Sequence, residues 1–327
     1  MRQFFTVVFG GLLAIVAGIG IAYGGSRAWI AVKPHLPSFF VSIHIPILSD
    51  LVASGDHVPG ADGTSISGFS RTIRYSAAEE EDIINTAAQM LPQSPTGTIT
   101  ASAYVVRNLT TGEFLIGHNA DQLVPVASLT KLVTAIVARK VTDPTERITV
   151  GRNVMATYGN TAEFQAGETF TANDLYYPLL MVSSNDAAEA FALAYGRKEF
   201  IQQMNDFVQS IGAYHSYFAD ASGLSPYNIS SANDLALILD WIRKNDPHIL
   251  EITMEKSRTI RAHTWVNPTH FLSWSTYLGG KNGYTPEADR TGALLFAHGS
   301  KKEVYSVVVL GSELRDQDVV TLLAKVR

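Results

Sequence analysis

Three short motifs in this chain combine residue types that can carry out acyl transfer through a serine. In chain order they are Ser128-Leu129-Thr130-Lys131, Ser183-Ser184-Asn185 and Lys281-Asn282-Gly283. The first supplies a hydroxyl nucleophile and an amine base, and the other two supply polar groups able to hold a short peptide. An S-x-x-K motif is expected about once by chance in a chain of this length. The interpretation therefore depends on all three motifs together.

The spacing of Ser128 and Lys131 suits a nucleophile and its base. Residues three apart share one face of a helix, which would place Oγ of Ser128 beside Nζ of Lys131. If Ser128 stands at a helix N-terminus, unpaired backbone N–H groups and the helix dipole would stabilise developing negative charge. A lysine acts as a base near neutral pH only if its pKa is lowered, and we expect burial and a second cation, Lys281, to lower it.

A fourth segment resembles the second motif but has an ordinary explanation. Ser231-Ala232-Asn233 also reads S-x-N, yet it opens an apolar-periodic run from Leu235 to Ile242. We interpret Ser231 as a helix cap.

The composition excludes several other classes of protein. The chain has 327 residues, of which 46% are hydrophobic and 17% charged, enough for one large core or two modest ones. The net charge of −5 and the lack of a basic run interleaved with aromatics argue against nucleic acid as a partner. Without cysteine there is no thiolate nucleophile, and the nine histidines show no ligand spacing, so we expect no metal and no cofactor.

The stretch 4–25 has the length and composition of a membrane-spanning helix, with no charged residue. Arg2 precedes it and favours a cytoplasmic N-terminus, although Arg27 and Lys33 follow it. We expect one span within residues 1–33 that anchors the chain in a bacterial cytoplasmic membrane, with the rest outside the cytoplasm. The alternative is a cleaved signal peptide and a secreted protein.

The remainder divides into a linker and a folded domain. Residues 34–96 carry scattered Gly, Ser, Pro and Asp without a sustained period, which predicts a linker with a short helix over 77–90. The domain is predicted to cover 97–327, beginning with a hairpin near Thr98.

Within that domain the patterns predict strands at both ends and helices between them. Helical patterns dominate from Ser128 to about Trp241, with Asn173 or Asp174, Asn185 and Ser231 as helix starts. Strands are predicted over 257–262, 278–283, 290–298 and 303–311, and a closing helix over 316–326. This order predicts one antiparallel sheet assembled from distant segments, flanked by helices, with an α-rich insertion.

The sequence resembles the penicillin-recognising serine peptidases, and within them the D-alanyl-D-alanine carboxypeptidases of low molecular mass. The similarity covers about residues 97–315 and lies in four blocks in family order: VASLTKLVTA, FQAGETFTANDLYYPLLMVSSNDAAEAFA, FADASGLSPYNISSANDLA and GGKNGYTPEA. The resemblance implies an α+β fold of the β-lactamase/transpeptidase type. It also implies hydrolysis of peptidoglycan stem peptides that end in D-Ala-D-Ala, with β-lactams as covalent inhibitors.

The resemblance implies a role for each matched residue. Ser128 would attack the carbonyl of the penultimate D-alanine, and Lys131 would take the serine proton. Ser183 would relay a proton to the departing D-alanine, while Asn185 would hold the peptide backbone and help to fix Lys131. The backbone amides of Ser128 and Tyr284 would form the oxyanion hole.

The last motif supplies the substrate-binding residues implied by the resemblance, with Lys281 and Thr285 facing the terminal carboxylate. The set is Lys281, Asn282, Gly283, Tyr284 and Thr285. The chain departs from the family at Asn282, where a threonine normally offers its hydroxyl to that carboxylate. An asparagine amide can still donate a hydrogen bond.

Two alternatives to a carboxypeptidase stay open. A D,D-endopeptidase that cuts cross-links would differ only in its leaving group. A membrane-tethered, non-catalytic module would bind peptidoglycan but would have lost turnover through Asn282. The presence of Ser128, Lys131, Ser183 and Asn185 argues against the second alternative.

Two other serine hydrolase classes fit less well. A class A β-lactamase needs a downstream glutamate to activate the deacylating water, but Asp220 is the only carboxylate between Ala219 and Tyr227, so we expect slow release of bound penicillin. A Ser-His-Asp hydrolase of the G-x-S-x-G type is disfavoured because that motif does not occur. We expect His263 on a strand and His270 in a loop.

Overall fold

The computed structural model describes residues 97–159, 161–298 and 303–326. The predicted span over 4–25, the linker with its short helix and the turn at Gly299-Ser300 lie outside these residues. Among the described helices, none is both long enough and apolar enough to cross a membrane.

Five antiparallel strands form the central sheet, in the order β2-β1-β11-β10-β9. Their bounds are β1 Ala103–Asn108, β2 Phe114–His118, β9 Tyr277–Thr285, β10 Asp289–His298 and β11 Glu303–Ser312. The first hairpin therefore pairs with the last strand, and Val105 lies opposite Val308. The prediction of one antiparallel sheet built from distant segments is confirmed.

Helices cover both faces of this sheet, which explains why the central strands are apolar throughout. Val308 and Leu310 of β11 pack into the larger core with the helices of the insertion, whereas Val307 and Val309 pack into a second core that includes Val319. The alternation follows from successive strand residues pointing to opposite faces.

The chain between β2 and β9 forms the predicted α-rich insertion. Its helices are α1 Thr130–Val141, α2 Ala172–Leu180, α3 Asn185–Tyr195, α4 Arg197–Ser210, α5 Ala232–Asn245 and α6 His248–Thr253. A further helix, α7 Arg315–Lys325, follows β11 and matches the predicted closing helix.

Three small two-stranded sheets also lie in this part of the chain. They pair β3 Val124–Pro125 with β6 Ile229–Ser230, β4 Arg147–Val150 with β5 Glu168–Thr171, and β7 Ser257–Ile260 with β8 His263–Val266. The sequence analysis missed β4 and β5 because a four-residue alternation is too short to distinguish from helix. It also predicted one strand over 257–262, which covers β7, and gave no bounds for β8.

Side-chain caps set the starts of the helices. Thr171 and Asp174 form a capping box, so α2 begins at Ala172 and not at Asn173 or Asp174 as predicted. Ser231 accepts a hydrogen bond from the backbone N–H of Asp234 at 3.1 Å, which confirms its interpretation as the cap of α5.

Candidate active site

Ser128 lies in a 3₁₀ turn, Ala127–Leu129, that leads directly into α1. The turn is tightly held: Thr130 donates a hydrogen bond from Oγ1 to the Ala127 carbonyl at 2.8 Å. Ala127 has a φ of +49°, a left-handed conformation that is costly for a residue with a Cβ. On the other side, Gly223 approaches so closely that a methyl group there would lie 2.0 Å from the Ala127 oxygen.

Lys131, the second residue of α1, is fully buried, and its Nζ lies against the serine. It donates hydrogen bonds to Oγ of Ser128 at 2.9 Å, to Oδ1 of Asn185 at 2.8 Å and to the Ser222 carbonyl at 2.5 Å. The amine is therefore aimed at the hydroxyl, with the geometry that the i, i+3 spacing predicted.

The electrostatic setting of Lys131 favours its neutral form. Burial, followed by the charge of Lys281, lowers the pKa of Lys131 well below its ordinary value, while Asp220 acts in the opposite direction. Burial and the charge of Arg315 also lower the pKa of Lys281, to about 7. In the neutral form the amine keeps two N–H groups, for Asn185 and the Ser222 carbonyl, and its lone pair accepts the Ser128 hydroxyl proton over the same 2.9 Å, as a general base must.

Asn185 is the first residue of α3, and Ser183 precedes it by two residues. Ser183 has a φ of +60°, and its buried hydroxyl has no hydrogen-bond partner among the described residues. Strained backbone of this kind is concentrated at functional sites. Asn185 donates from Nδ2 to the Tyr158 carbonyl at 2.7 Å while its Oδ1 holds Lys131.

Strand β9 passes directly alongside the nucleophile. A methyl group at Gly283 would lie 2.8 Å from the backbone nitrogen of Ser128 and 2.5 Å from Oγ1 of Thr291. Glycine is therefore needed here for the close approach of two backbones. The next residue, Tyr284, exposes 61% of its surface.

These residues surround one cavity of about 350 Å³. Of the nine predicted site residues only Lys131 does not line it, because it lies beneath Ser128. The lining residues from the prediction are Ser128, Ser183, Asn185, Lys281, Asn282, Gly283, Tyr284 and Thr285. Tertiary structure adds walls that the sequence analysis missed, among them Tyr158, Leu224 and Thr269.

Asp220 organises the loop that follows α4. Its carboxylate accepts hydrogen bonds from the backbone N–H groups of Ser222 at 2.7 Å, Gly223 at 2.6 Å and Ser225 at 2.7 Å. Burial would raise the pKa of Asp220, but these hydrogen bonds outweigh it and lower that pKa. The loop in turn places the Ser222 carbonyl against Lys131.

Among the described residues, no group of three or more His, Cys, Asp or Glu side chains is arranged to hold a metal ion. His263 lies on β8, as predicted, and contacts Glu168 at 2.9 Å. His270 lies in a short 3₁₀ helix, His270–Ser273, between β8 and β9, where a loop was predicted.

A comparison with protein families identifies the family of this chain. The model of peptidase S11, D-alanyl-D-alanine carboxypeptidase, matches residues 87–313. The chain belongs to this family. Both the fold class and the resemblance inferred from the motifs are therefore confirmed.

Two curated relatives illustrate the range within the D-alanyl-D-alanine carboxypeptidase family. The D-alanyl-D-alanine carboxypeptidase DacD of Salmonella typhimurium is 33% identical over 219 residues, covering 62% of this chain and 55% of the relative. A D-alanyl-D-alanine endopeptidase of Haemophilus influenzae is 34% identical over 151 residues, covering 45% of this chain and 52% of the relative. The chain spans about half the length of the curated relatives it matches.

A solved structure shares the fold. Penicillin-binding protein D2 of Listeria monocytogenes, determined in its cefotaxime-bound form, superposes with a TM-score of 0.63 at 25% identity. The match covers 71% of this chain and 99% of that protein.

Arg315 is a cation near the site that the sequence analysis missed. It begins α7, and its Cδ would lie 3.0 Å from a methyl group at Gly292, the residue opposite Asn282 in the β9–β10 register. Its charge lowers the pKa of Lys281. No local motif points to Arg315, because the sheet brings it to Lys281 only on folding.

Asn282, at the position where the family resemblance implies a threonine, lines the cavity and also carries a buried acceptor. Its Oδ1 is buried without a hydrogen-bond partner among the described residues. A buried unpaired acceptor is destabilising by roughly 1–3 kcal/mol.

Proposed function

We propose that this protein is a serine-type D-Ala-D-Ala carboxypeptidase that acts on peptidoglycan stem peptides through an acyl-enzyme on Ser128. The main support is the hydrogen bond between Lys131 Nζ and Ser128 Oγ, 2.9 Å long and formed by a fully buried lysine. Membership of the D-alanyl-D-alanine carboxypeptidase family supports the same activity.

Acylation follows from the positions of these groups. Neutral Lys131 takes the hydroxyl proton as Oγ of Ser128 attacks the carbonyl carbon of the penultimate D-alanine. The backbone amides of Ser128 and Tyr284 stabilise the negative charge on the carbonyl oxygen. The C–N bond then breaks, the proton passes through Ser183 to the leaving amine, and free D-alanine departs. Water later hydrolyses the ester and restores Ser128.

Recognition of the terminal carboxylate is assigned to one end of the cavity. Lys281 and Thr285 face it from β9, and the Asn282 amide can donate a hydrogen bond in place of the threonine hydroxyl usual in the family. Arg315 adds positive charge behind Lys281. Positive charge at this end of the cavity favours a peptide with a free carboxyl terminus over an interior segment of a peptide chain.

The proposed setting is the outer face of a bacterial cytoplasmic membrane. The support is the uncharged stretch 4–25, long enough to cross a bilayer, which would anchor a domain covering 97–327 through the linker 34–96. β-Lactams are proposed as covalent inhibitors, by analogy with the cefotaxime-bound relative.

A D,D-endopeptidase is the second candidate, because a relative of that name is 34% identical over 151 residues. It would use the same acyl-enzyme and differ in its leaving group. Incubation with cross-linked muropeptide dimers and with a pentapeptide, side by side, separates the two activities.

The deciding experiment is release of D-alanine from a pentapeptide by the detergent-solubilised full chain, with Ser128→Ala as control. We expect release by the wild type alone, together with a penicillin adduct in the intact mass of the wild type that the variant lacks. Equal release by both proteins would refute the enzyme and favour a non-catalytic peptidoglycan-binding module.

A further inference from the structure

A cluster of charged side chains lies just outside the cavity lining, next to Thr269 and Gly292. Arg315 donates a hydrogen bond from Nε to Oδ1 of Asp316 at 2.6 Å. The other carboxylate oxygen of Asp316 contacts Nδ1 of His270. His270 directly follows Pro268 and Thr269, which line the cavity. The cluster therefore connects the first turn of α7 to one wall of the site.

Asp316 is the centre of this cluster and stays ionised. Its side chain is 13% exposed, and that of Arg315 is 16% exposed. Burial would raise the pKa of Asp316, but the close contact with His270 and the charge and hydrogen bond of Arg315 outweigh it and lower that pKa to about 2. The ionised carboxylate thus contacts both Nε of Arg315 and Nδ1 of His270.

The aliphatic part and Nε of the Arg315 side chain are held in place, whereas its two terminal nitrogens are not. Its Cγ and Cδ pack over Gly292, and its Nε is held by Asp316. None of the described residues accepts a hydrogen bond from its two terminal nitrogens. An arginine presented in this way can bind a carboxylate through two parallel hydrogen bonds.

We propose that Asp316 and His270 are positioning residues, which hold the Arg315 guanidinium ready for the carboxylate at the leaving end of the substrate. The inference rests on the proposed function, because it requires a substrate that ends in a carboxylate. A long arginine side chain loses rotamer freedom on binding, and fixing it beforehand lowers that cost. Loss of either residue should weaken carboxylate binding without slowing the chemistry at Ser128.

The test compares two peptides that differ only in a terminal carboxylate or carboxamide. His270→Leu removes the contact with Asp316, whereas His270→Asn keeps an N–H donor near the position of Nδ1. His248→Leu is the matched control, since His248 pairs with Glu251 on the exposed side of α6, at 3.0 Å. All measurements use the full-length protein.

We expect His270→Leu to raise KM for the carboxylate peptide about tenfold with kcat changed by less than about twofold, because a hydrogen bond to a charged group is weakened. KM for the carboxamide peptide should not change. His270→Asn should restore the wild-type KM, and Asp316→Asn, if it folds, should repeat the selective effect. An equal change in KM for both peptides, or an unchanged KM for the carboxylate peptide, would overturn the inference.

Acylation by benzylpenicillin and by its methyl ester gives a second readout, independent of peptide turnover. His270→Leu should slow acylation by the free acid and leave the ester unaffected. If the wild type cleaves neither peptide, the proposed carboxypeptidase fails, while the penicillin pair still decides the positioning role. Equal effects on acid and ester would overturn the role of His270.

Discussion

At the scale of single residues, two buried lysines determine the chemistry of the site. Lys281 contributes a charge that lowers the pKa of Lys131, and Lys131 shares its hydrogen bonds between Ser128, Asn185 and a backbone carbonyl. The base is therefore produced by burial and by a like charge, not by an adjacent carboxylate.

Replacement of Lys131 by arginine should abolish the base, because a guanidinium is not deprotonated in proteins. We expect Lys131→Arg to slow acylation by penicillin about a thousandfold. In the wild type, acylation should rise with pH as Lys131 loses its proton, since only the neutral amine can accept. The matched control is Lys244→Arg, on the exposed face of α5. Wild-type acylation by a folded Lys131→Arg would refute the assignment.

Asn282→Thr should affect both the stability and the activity of the protein. The buried, unpaired Oδ1 disappears, so the free energy of unfolding should rise by about 1 kcal/mol. The hydroxyl usual in the family returns, so kcat/KM for a D-Ala-D-Ala peptide should rise or stay equal. Thermal unfolding and D-alanine release measure both. A loss of activity would indicate that the amide itself binds the substrate.

At the scale of elements, the site depends on the close approach of β9 to the 3₁₀ turn before α1. Gly283→Ala would place a methyl group 2.8 Å from the backbone nitrogen of Ser128 and push the strand away. We expect acylation to fall about a hundredfold, as for other small displacements of reacting groups. Gly167→Ala is the control, because a methyl group there would have no neighbour within 4 Å; unlike Gly283, Gly167 has a positive φ, so this control carries the greater backbone strain. Equal acylation by the two variants would contradict the prediction.

The loop after α4 should also determine the lifetime of the acyl-enzyme formed with penicillin. Asp220 is committed to three backbone N–H groups of its own loop. It is therefore not available to activate a deacylating water, and we expect a penicillin adduct that persists far longer than acylation takes. Mass spectrometry after removal of excess penicillin measures its lifetime, and rapid recovery of free protein would contradict this account.

At the scale of the whole molecule, one buried carboxyl should make stability depend on pH. Asp186 is fully buried, and desolvation raises its pKa from 3.8 to about 6. The folded state then binds a proton more tightly than the unfolded state, so stability falls as pH rises from about 4 to about 6.

Asp186→Asn should remove this dependence, because an amide does not ionise. The melting temperature of the variant should match the wild type near about pH 4 and exceed it near about pH 7.5. A constant difference between the two proteins at every pH would show that Asp186 is not the titrating group.

The sequence by itself determined the parts of this protein that depend on neighbours along the chain. The three-residue spacing fixed Ser128 beside Lys131, Ser231 was recognised as a cap, and the apolar alternation predicted the strands of the central sheet. These features depend on local backbone geometry and on periodicity, which a sequence displays directly. The anchor over 4–25 stays a prediction.

Only the tertiary structure decided what surrounds those groups. The approach of Gly283 to Ser128, the carbonyl of Ser222 on Lys131 and the charge of Arg315 beside Lys281 all join segments distant in sequence. Packing of the sheet against the insertion and α7 creates these contacts, and the burial that lowers both lysine pKa values arises with them. No local pattern encodes a desolvated environment, because desolvation is produced by the whole folded chain.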